Sequence, residues 1–295
     1  MDTHKLSDWL DDKANRDILK SSFSVELQKA LSHEDFSLAT KLVSADIKLL
    51  SILQETLSEH FESAKQETRD IFLSEIAQQI EYSIVSLDSE FDVTYLKDKF
   101  EILKSLGLNL RSGYTSESPR GKRLSPYMSL VMFIHTHYNV SNHDGVNYDI
   151  IALLDYYRSN QALDSTEFNV QVDQQRDKVN SPLQLLMFAK APLELKIIMT
   201  NWFVDVANFN LSSKTKNGLS ILELASSKEA HTEVQNKSYT DSSFADFLDK
   251  KLRSIENKIS KDLEQKINEK EAQIKKLETQ NKKLRNFIGK LEQKL

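Results

Sequence analysis

Glycine and proline are scarce in this chain: six glycines and four prolines in 295 residues. That scarcity limits the fold more than any other feature, because strands need turns and turns draw on those two residues. The chain must be built almost wholly from helices joined by ordinary polar residues. Between 47 and 87 neither residue occurs. There Leu53, Leu57, Phe61, Ala64, Thr68, Ile71, Ile76, Ile80, Ile84 and Leu87 recur every three to five residues as an apolar stripe. Uncapped helices longer than ~25 residues are unusual in a globular protein, so the stretch reads as two helices with a break near 67–70. Upstream, Ser7-Asp8 offers a cap for a face made by Leu10, Ile18, Leu19, Phe23, Leu27 and Leu31. Ser32 to Asp35 resembles a capping box opening a helix with Phe36, Leu38, Ala39, Leu42 and Val43. Residues 1–90 read as an N-terminal helical cap.

The middle of the chain repeats one opening. Ser181-Pro182 places a hydroxyl at the N-cap and a proline at the first helical position, and Leu183, Leu186 and Met187 follow. Pro192 starts a second helix with Leu193, Ile197, Ile198 and Trp202. After Asn217-Gly218, the segment Ser220-Ile221-Leu222-Glu223-Leu224-Ala225 repeats the opening. Ser125-Pro126 is an earlier copy, followed by Met128, Leu130, Val131, Phe133 and Ile134. Its partner helix carries Ile150, Ile151, Leu153, Leu154 and Tyr157. Before it, Phe100, Ile102, Leu103 and Leu106 make a helix that ends at Gly107 in the left-handed position. Residues 111–123 form the most loop-like stretch. A helix pair cannot bury its apolar face alone and needs a neighbour.

These segments resemble degenerate ankyrin-type repeats over about half the chain, 91–228. Gln184 and Glu223 stand where that family has histidine, tight β-hairpin fingers are not evident, and the repeat starts are unevenly spaced. A tetratricopeptide-like or otherwise irregular α-solenoid stays open. The expected fold is all-α: an N-terminal cap at 1–90, irregular helix pairs at 91–228, a polar linker at 229–243, and one long coiled-coil-like helix at 244–295.

In that last helix Leu252, Ile255 and Ile259 begin a seam. Ile274, Leu277, Asn281, Leu284, Ile288, Leu291 and Leu295 then keep strict 3-4 spacing. These are heptad a and d positions, with Asn281 at an a position, where a polar residue sets register in parallel dimers. The 4-4 spacing from Ile259 to Ile267 resembles a stutter, and Phe287 and Gly289 weaken the end. The seam fits a second chain, giving a homodimer, or packing along its own repeats.

Charge argues about partners. Residues 245–295 hold 14 Lys and Arg against 9 Asp and Glu, +5, which leaves −10 for the rest of a chain whose net charge is −5. An acidic body disfavours nucleic acid, and the mixed signs of the tail describe a solvated face. The densest apolar run, 129–134, is far shorter than the ~18 residues a membrane span requires. There is no cysteine, and the acidic N-terminus lacks the apolar core of a secretory signal. The expectation is a cytoplasmic protein that meets neither nucleic acid nor membrane.

No constellation points to catalysis, a cofactor or a metal. His135 and His137 are two apart at a helix end and diverge, with His143-Asp144 beyond them, whereas metal ligation on a helix wants i and i+4. No nucleophile elbow occurs, Gly121-Lys122 lacks the upstream glycine of a phosphate loop, and the paired carboxylates Asp11-Asp12 and Glu269/Glu271 lie on polar faces. Aromatic residues and arginine dominate binding hot spots. Residues 113–157, dense in tyrosine, are therefore the expected partner surface, with Tyr114, Arg120, Arg123, Tyr127, His135, Tyr138, Tyr156 and Tyr157 as candidate contacts and Tyr148 beside them.

Usage rich in Lys, Asn, Ser and Ile, degenerate repeats and a terminal coiled-coil-like helix look like the secreted effectors of intracellular bacterial pathogens, and among them the effector-regulating class. That resemblance implies a non-catalytic protein that reaches a host cytosol without a classical signal peptide, binds a toxic effector and inhibits it by covering its surface. The alternatives are a scaffold joined through the terminal helix and an enzyme on a helical scaffold.

Overall fold

The computed structural model describes residues 9–33, 35–45, 47–86, 93–117, 120–138, 145–164, 170–171, 178–179, 181–189, 191–215, 218–225 and 242–292. The protein is mostly helical. It divides into two compact units, Met1–Phe244 and Ala245–Leu295.

In the first unit, α1 (Lys13–His33) lies against α3 (Ile47–Ser63), and α2 (Ser37–Ala45) packs on α3 and on α4 (Gln66–Ser86). The break in the long apolar stretch falls at Ala64-Lys65, a little before the expected 67–70. Ser63 Oγ turns back to the His60 carbonyl there, and the Arg69 N–H already bonds to the Lys65 carbonyl. Helix α4 is the hub. Ile71, Phe72, Leu73 and Ser74 are buried in succession, then Ile76, Ala77, Ile80, Glu81, Ile84 and Val85. A helix apolar on more than one side needs cover on more than one side. It is touched by α2, α5 (Val93–Ser105), β1 (Tyr114–Glu117), α6 (Pro126–His137) and α7 (Gly145–Ser159). Phe72 meets Phe36 and Phe61 edge-on.

Helix α5 stops where the glycine says it should. Gly107 has φ +113, its N–H bonds to the Lys104 carbonyl, and the Leu108 N–H reaches back to Leu103, the double closure of a Schellman motif.

Among its described residues the stretch expected to be loop holds a 3-10 turn and two paired strands. A 3-10 turn at Leu110–Ser112 leads through Gly113 into a hairpin of β1 and β2 (Arg120–Leu124), which pairs Tyr114 with Leu124 and Thr115 with Arg123. A side chain at Gly113 would put its Cβ 2.7 Å from the Leu124 carbonyl oxygen, and φ there is +73. Tyr114 and Thr115 are buried against α4, but their polar neighbours in the sequence hide the alternation of a strand. A second small hairpin joins β3 (Val170–Gln171) to β4 (Lys178–Val179).

Serine caps each of the repeated openings. Ser125 accepts from the Met128 N–H to start α6, and Ser181 accepts from the Gln184 N–H to start α8 (Pro182–Phe188). Ser220 and Glu223 form a reciprocal box at α10 (Ile221–Ala225): the Ser220 N–H donates to Glu223 Oε2 at 2.6 Å, and the Glu223 N–H donates to Ser220 Oγ at 3.2 Å. Between them α9 (Leu193–Asn201) continues into a π turn at Trp202–Val206. Helix α8 touches α6, α9 and α10, so the second serine-opened helix has the other two among its neighbours.

The second unit is the body of α11 (Ser242–Glu292), a single helix of ~77 Å at 1.5 Å per residue. It begins at Ser242, inside the segment expected as linker; the rest of that segment lies outside the described residues.

Candidate functional site

The tyrosines expected on a partner surface converge instead on one buried carboxyl group. Glu81 sits on the covered side of α4 and is fully buried. Tyr114 at the start of β1 donates its hydroxyl to Glu81 Oε1 at 2.8 Å, and Tyr157 in the last turn of α7 donates to the same oxygen. Ser129 in the first turn of α6 donates to Oε2 at 2.5 Å, and the two phenol oxygens lie 3.1 Å apart. Four elements are thus tied to one carboxyl. Next to it the Thr115 N–H donates to Ser74 Oγ at 2.9 Å, which itself donates to the Asp70 carbonyl.

Burial pushes the Glu81 carboxyl up to about 7, against the downward pull of the Ser129, Tyr157 and Tyr114 hydroxyls. The same burial, with Glu81 beside them, holds both phenols well above their usual range. A carboxyl near neutrality is a candidate general acid or base, but catalysis also needs access. Glu81 is fully enclosed, and none of the described clefts is lined by it. Its chemistry is spent on its three hydroxyl donors, which fix how α4, β1, α6 and α7 meet.

The remaining predicted contacts divide. Tyr127 is buried in an aromatic cluster with Tyr157, Trp202, Phe203 and Phe209, at ring separations of 5.6 to 6.2 Å. Tyr156 is buried, and its hydroxyl donates to Glu101 at 2.8 Å. Tyr114, Tyr127, Tyr156 and Tyr157 are therefore core residues, which corrects the expectation of a partner surface. With few glycines to bring backbones close, large rings fill the space between helices, and each hydroxyl needs a partner when buried. Arg123 is half-buried, bonds to Thr115 and lies 4.0 Å from Asp70. His135 and Tyr138 are half-buried, while Tyr148 is 76% exposed. The Arg120 side chain and His143-Asp144 lie outside the described residues. Among the described residues no group of three His, Cys, Asp or Glu is arranged to hold a metal.

A nucleophile and base do approach each other at Ser24 and His60, whose Oγ and Nε2 are 2.7 Å apart. Ser24 is in mid-helix, and among the described residues no carboxylate orients the other ring nitrogen. The pair joins α1 to α3.

No known family, characterised protein or solved structure matches this chain.

Two surfaces stand out. On the first unit Tyr82 meets His137 edge-on at 4.9 Å and Phe133 at 5.9 Å, with Phe133 and His137 6.2 Å apart. Tyr82 and His137 are exposed and Phe133 is half-buried. Phe133 and His137 are i and i+4 on α6, a pairing legible in the sequence; Tyr82 comes from α4, and nothing local announces it. On the second unit Ile259, Leu263, Ile267, Ile274 and Leu277 are each more than half exposed, and Asn281 is exposed with them. The side chains of Leu284, Ile288 and Leu291, the rest of the predicted seam, lie outside the described residues.

Proposed function

We propose that this protein works by binding another protein and restraining it, without a cofactor or chemistry of its own. The observation that carries the reading is the outward-facing ring cluster of Tyr82, Phe133 and His137, on a unit where Tyr114 and Tyr157 turn their hydroxyls inward. Exposed aromatic groups held rigid by one another are what a partner can bury at low entropic cost. In its finer form, the helix pairs of 91–228 make an irregular ankyrin-like or tetratricopeptide-like α-solenoid. The partner is then a toxic bacterial effector whose surface is covered in the cytosol of a host cell. The contacts of α8 with both α6 and α10 support the repeat arrangement. Helix α4, covered from several directions, is an addition that a plain nearest-neighbour array lacks.

The test is capture of the tagged chain from its own cells, beside a Tyr82→Ala/His137→Ala double variant, with the recovered proteins identified by mass spectrometry. The native chain should retain one partner in near-equal amount, and the variant should bind it at least about tenfold more weakly, 1.4 kcal/mol or more. Equal retention by a variant that melts normally removes this surface. A second reading, a tether that joins chains through α11, is favoured by the exposed stripe on that helix.

A further inference from the structure

The apolar stripe of α11 has the composition of a two-stranded parallel coiled coil. Counting heptads from Ile274 as an a position puts Ile267, Ile274, Asn281 and Ile288 at a, and Leu263, Leu277, Leu284 and Leu291 at d. Isoleucine at a with leucine at d selects the parallel dimer over larger bundles. The seam covers about four heptads, the length at which such a pattern becomes meaningful. The one departure at d is Lys270, whose stem can lie along the seam while its ammonium stays in water. Large apolar side chains at Leu263, Ile267, Ile274 and Leu277 are left more than half exposed, on one side of the helix, as exposed apolar surface at an interaction site is.

We infer that the occupant of this stripe is a second copy of the same chain, lying parallel and in register. Asn281 decides the point. In a parallel, in-register pair a positions face a positions, so the two Asn281 amides meet and can bond to each other. In an antiparallel pair a faces d, and each amide would be pressed against leucine, a buried polar group without a partner. A foreign helix would need an asparagine at the same level; two-fold symmetry supplies it without further requirement. The flanking charges agree. Parallel pairing brings each g position to the e position five residues on in the other chain. Lys266 then faces Glu271, and Gln273 with Glu278, Gln280 with Arg285, and Phe287 with Glu292 set no like charges together.

This inference rests on the tether reading and is independent of the ring cluster on the first unit. Its test is the solution mass of the full chain by light scattering at ~50 μM, because a dimer's population depends on concentration. The native chain should run as a dimer and an Ile274→Asp/Leu277→Asp variant as a monomer. A Leu291→Cys variant of this cysteine-free chain should close a covalent dimer under mild oxidation, since parallel register brings the two positions within disulfide reach. Antiparallel pairing with Asn281 against Leu284 or Leu277 would hold them roughly 25–36 Å apart at 1.5 Å per residue. A monomeric native chain, a trimer or tetramer, a charged variant that still dimerises, or a dimer that Leu291→Cys does not cross-link would each overturn the inference. If the native chain is monomeric while the charged variant loses a captured partner, the tether reading survives with a different occupant. If both bind alike, the tether reading fails too.

Discussion

Helices α4 and α11 both carry isoleucine and leucine at helical spacing, and they end in opposite states. On α4 the apolar residues come in neighbouring pairs, Phe72-Leu73, Ile76-Ala77 and Ile84-Val85, all buried. From Ile259 to Leu277 of α11 they come singly among charges and remain exposed. The width of the apolar face accounts for the difference. A pair of adjacent apolar residues points about 100° apart on a helix, so α4 demands cover from several directions and becomes the centre of a unit. A stripe one residue wide asks for one neighbour of similar make, and α11 has the form of a helix built to meet such a neighbour.

The strongest way to break that contrast is at the one charged-type residue on the wide face. Replacing Glu81 with Ala would leave the hydroxyls of Tyr114, Tyr157 and Ser129 facing a small void, each hydroxyl losing an acceptor. With ~1–3 kcal/mol for each buried group left unpaired, partly relieved by the 3.1 Å contact between the two phenols, the expected loss is about 3–5 kcal/mol. Urea unfolding followed by tryptophan fluorescence measures it; both tryptophans, Trp9 and Trp202, belong to the first unit. A loss under ~1 kcal/mol would show that this carboxyl does not hold the four elements together.

A gentler probe of the same group is pH. Burial holds the Glu81 carboxyl at about 7 in the folded protein, above the 4.5 of an ordinary glutamic acid. Between those values the folded state keeps a proton that the unfolded chain has released, so unfolding gains less as pH falls. The contribution is therefore fully present below 4.5 and is lost as pH rises through about 7, on the order of 3 kcal/mol in all. Glu101, which the Tyr156 hydroxyl holds below the usual carboxylate range, works in the opposite direction at lower pH. A Glu81→Gln variant isolates the first effect, since its stability should lose the decline between pH 5 and 7 that the native chain shows. Parallel pH curves for the two chains would contradict the assignment.

Much of this architecture was legible because it is local. The serine caps at Ser125, Ser181 and Ser220 and the glycine stop at Gly107 depend on residues within one turn, and the structure places them as the residues require. The hairpin at 114–124 was not legible: Gly113 matters through Leu124, eleven residues on, and Thr115 is satisfied by Ser74, forty-one residues back. Distance along the chain also decides which aromatic residues are covered. Tyr114 and Tyr157 look like contact residues until Glu81, far away in the chain, is seen to bind both, whereas Tyr82, one residue from Glu81, faces the other way and is exposed. Helical spacing tells which residues share a face. It does not tell which of two aromatic faces will be covered.

The smallest expected effect separates the two ways in which α11 can use its stripe. If Ile274 and Leu277 were covered by the chain's own first unit, charging both would bury two unpaired carboxylates or strip the cover, and tryptophan-detected unfolding would weaken by several kcal/mol. In the paired helix both residues face a second copy and not the first unit, and substitutions outside a unit's core typically move its stability by less than ~0.5 kcal/mol. The Ile274→Asp/Leu277→Asp variant should therefore unfold at the native urea midpoint when Trp9 and Trp202 are watched, even as its helix content by circular dichroism falls through loss of the pairing that steadies a lone helix in water. A shifted midpoint would mean that the narrow stripe is a core face after all, differing from α4 in degree and not in kind.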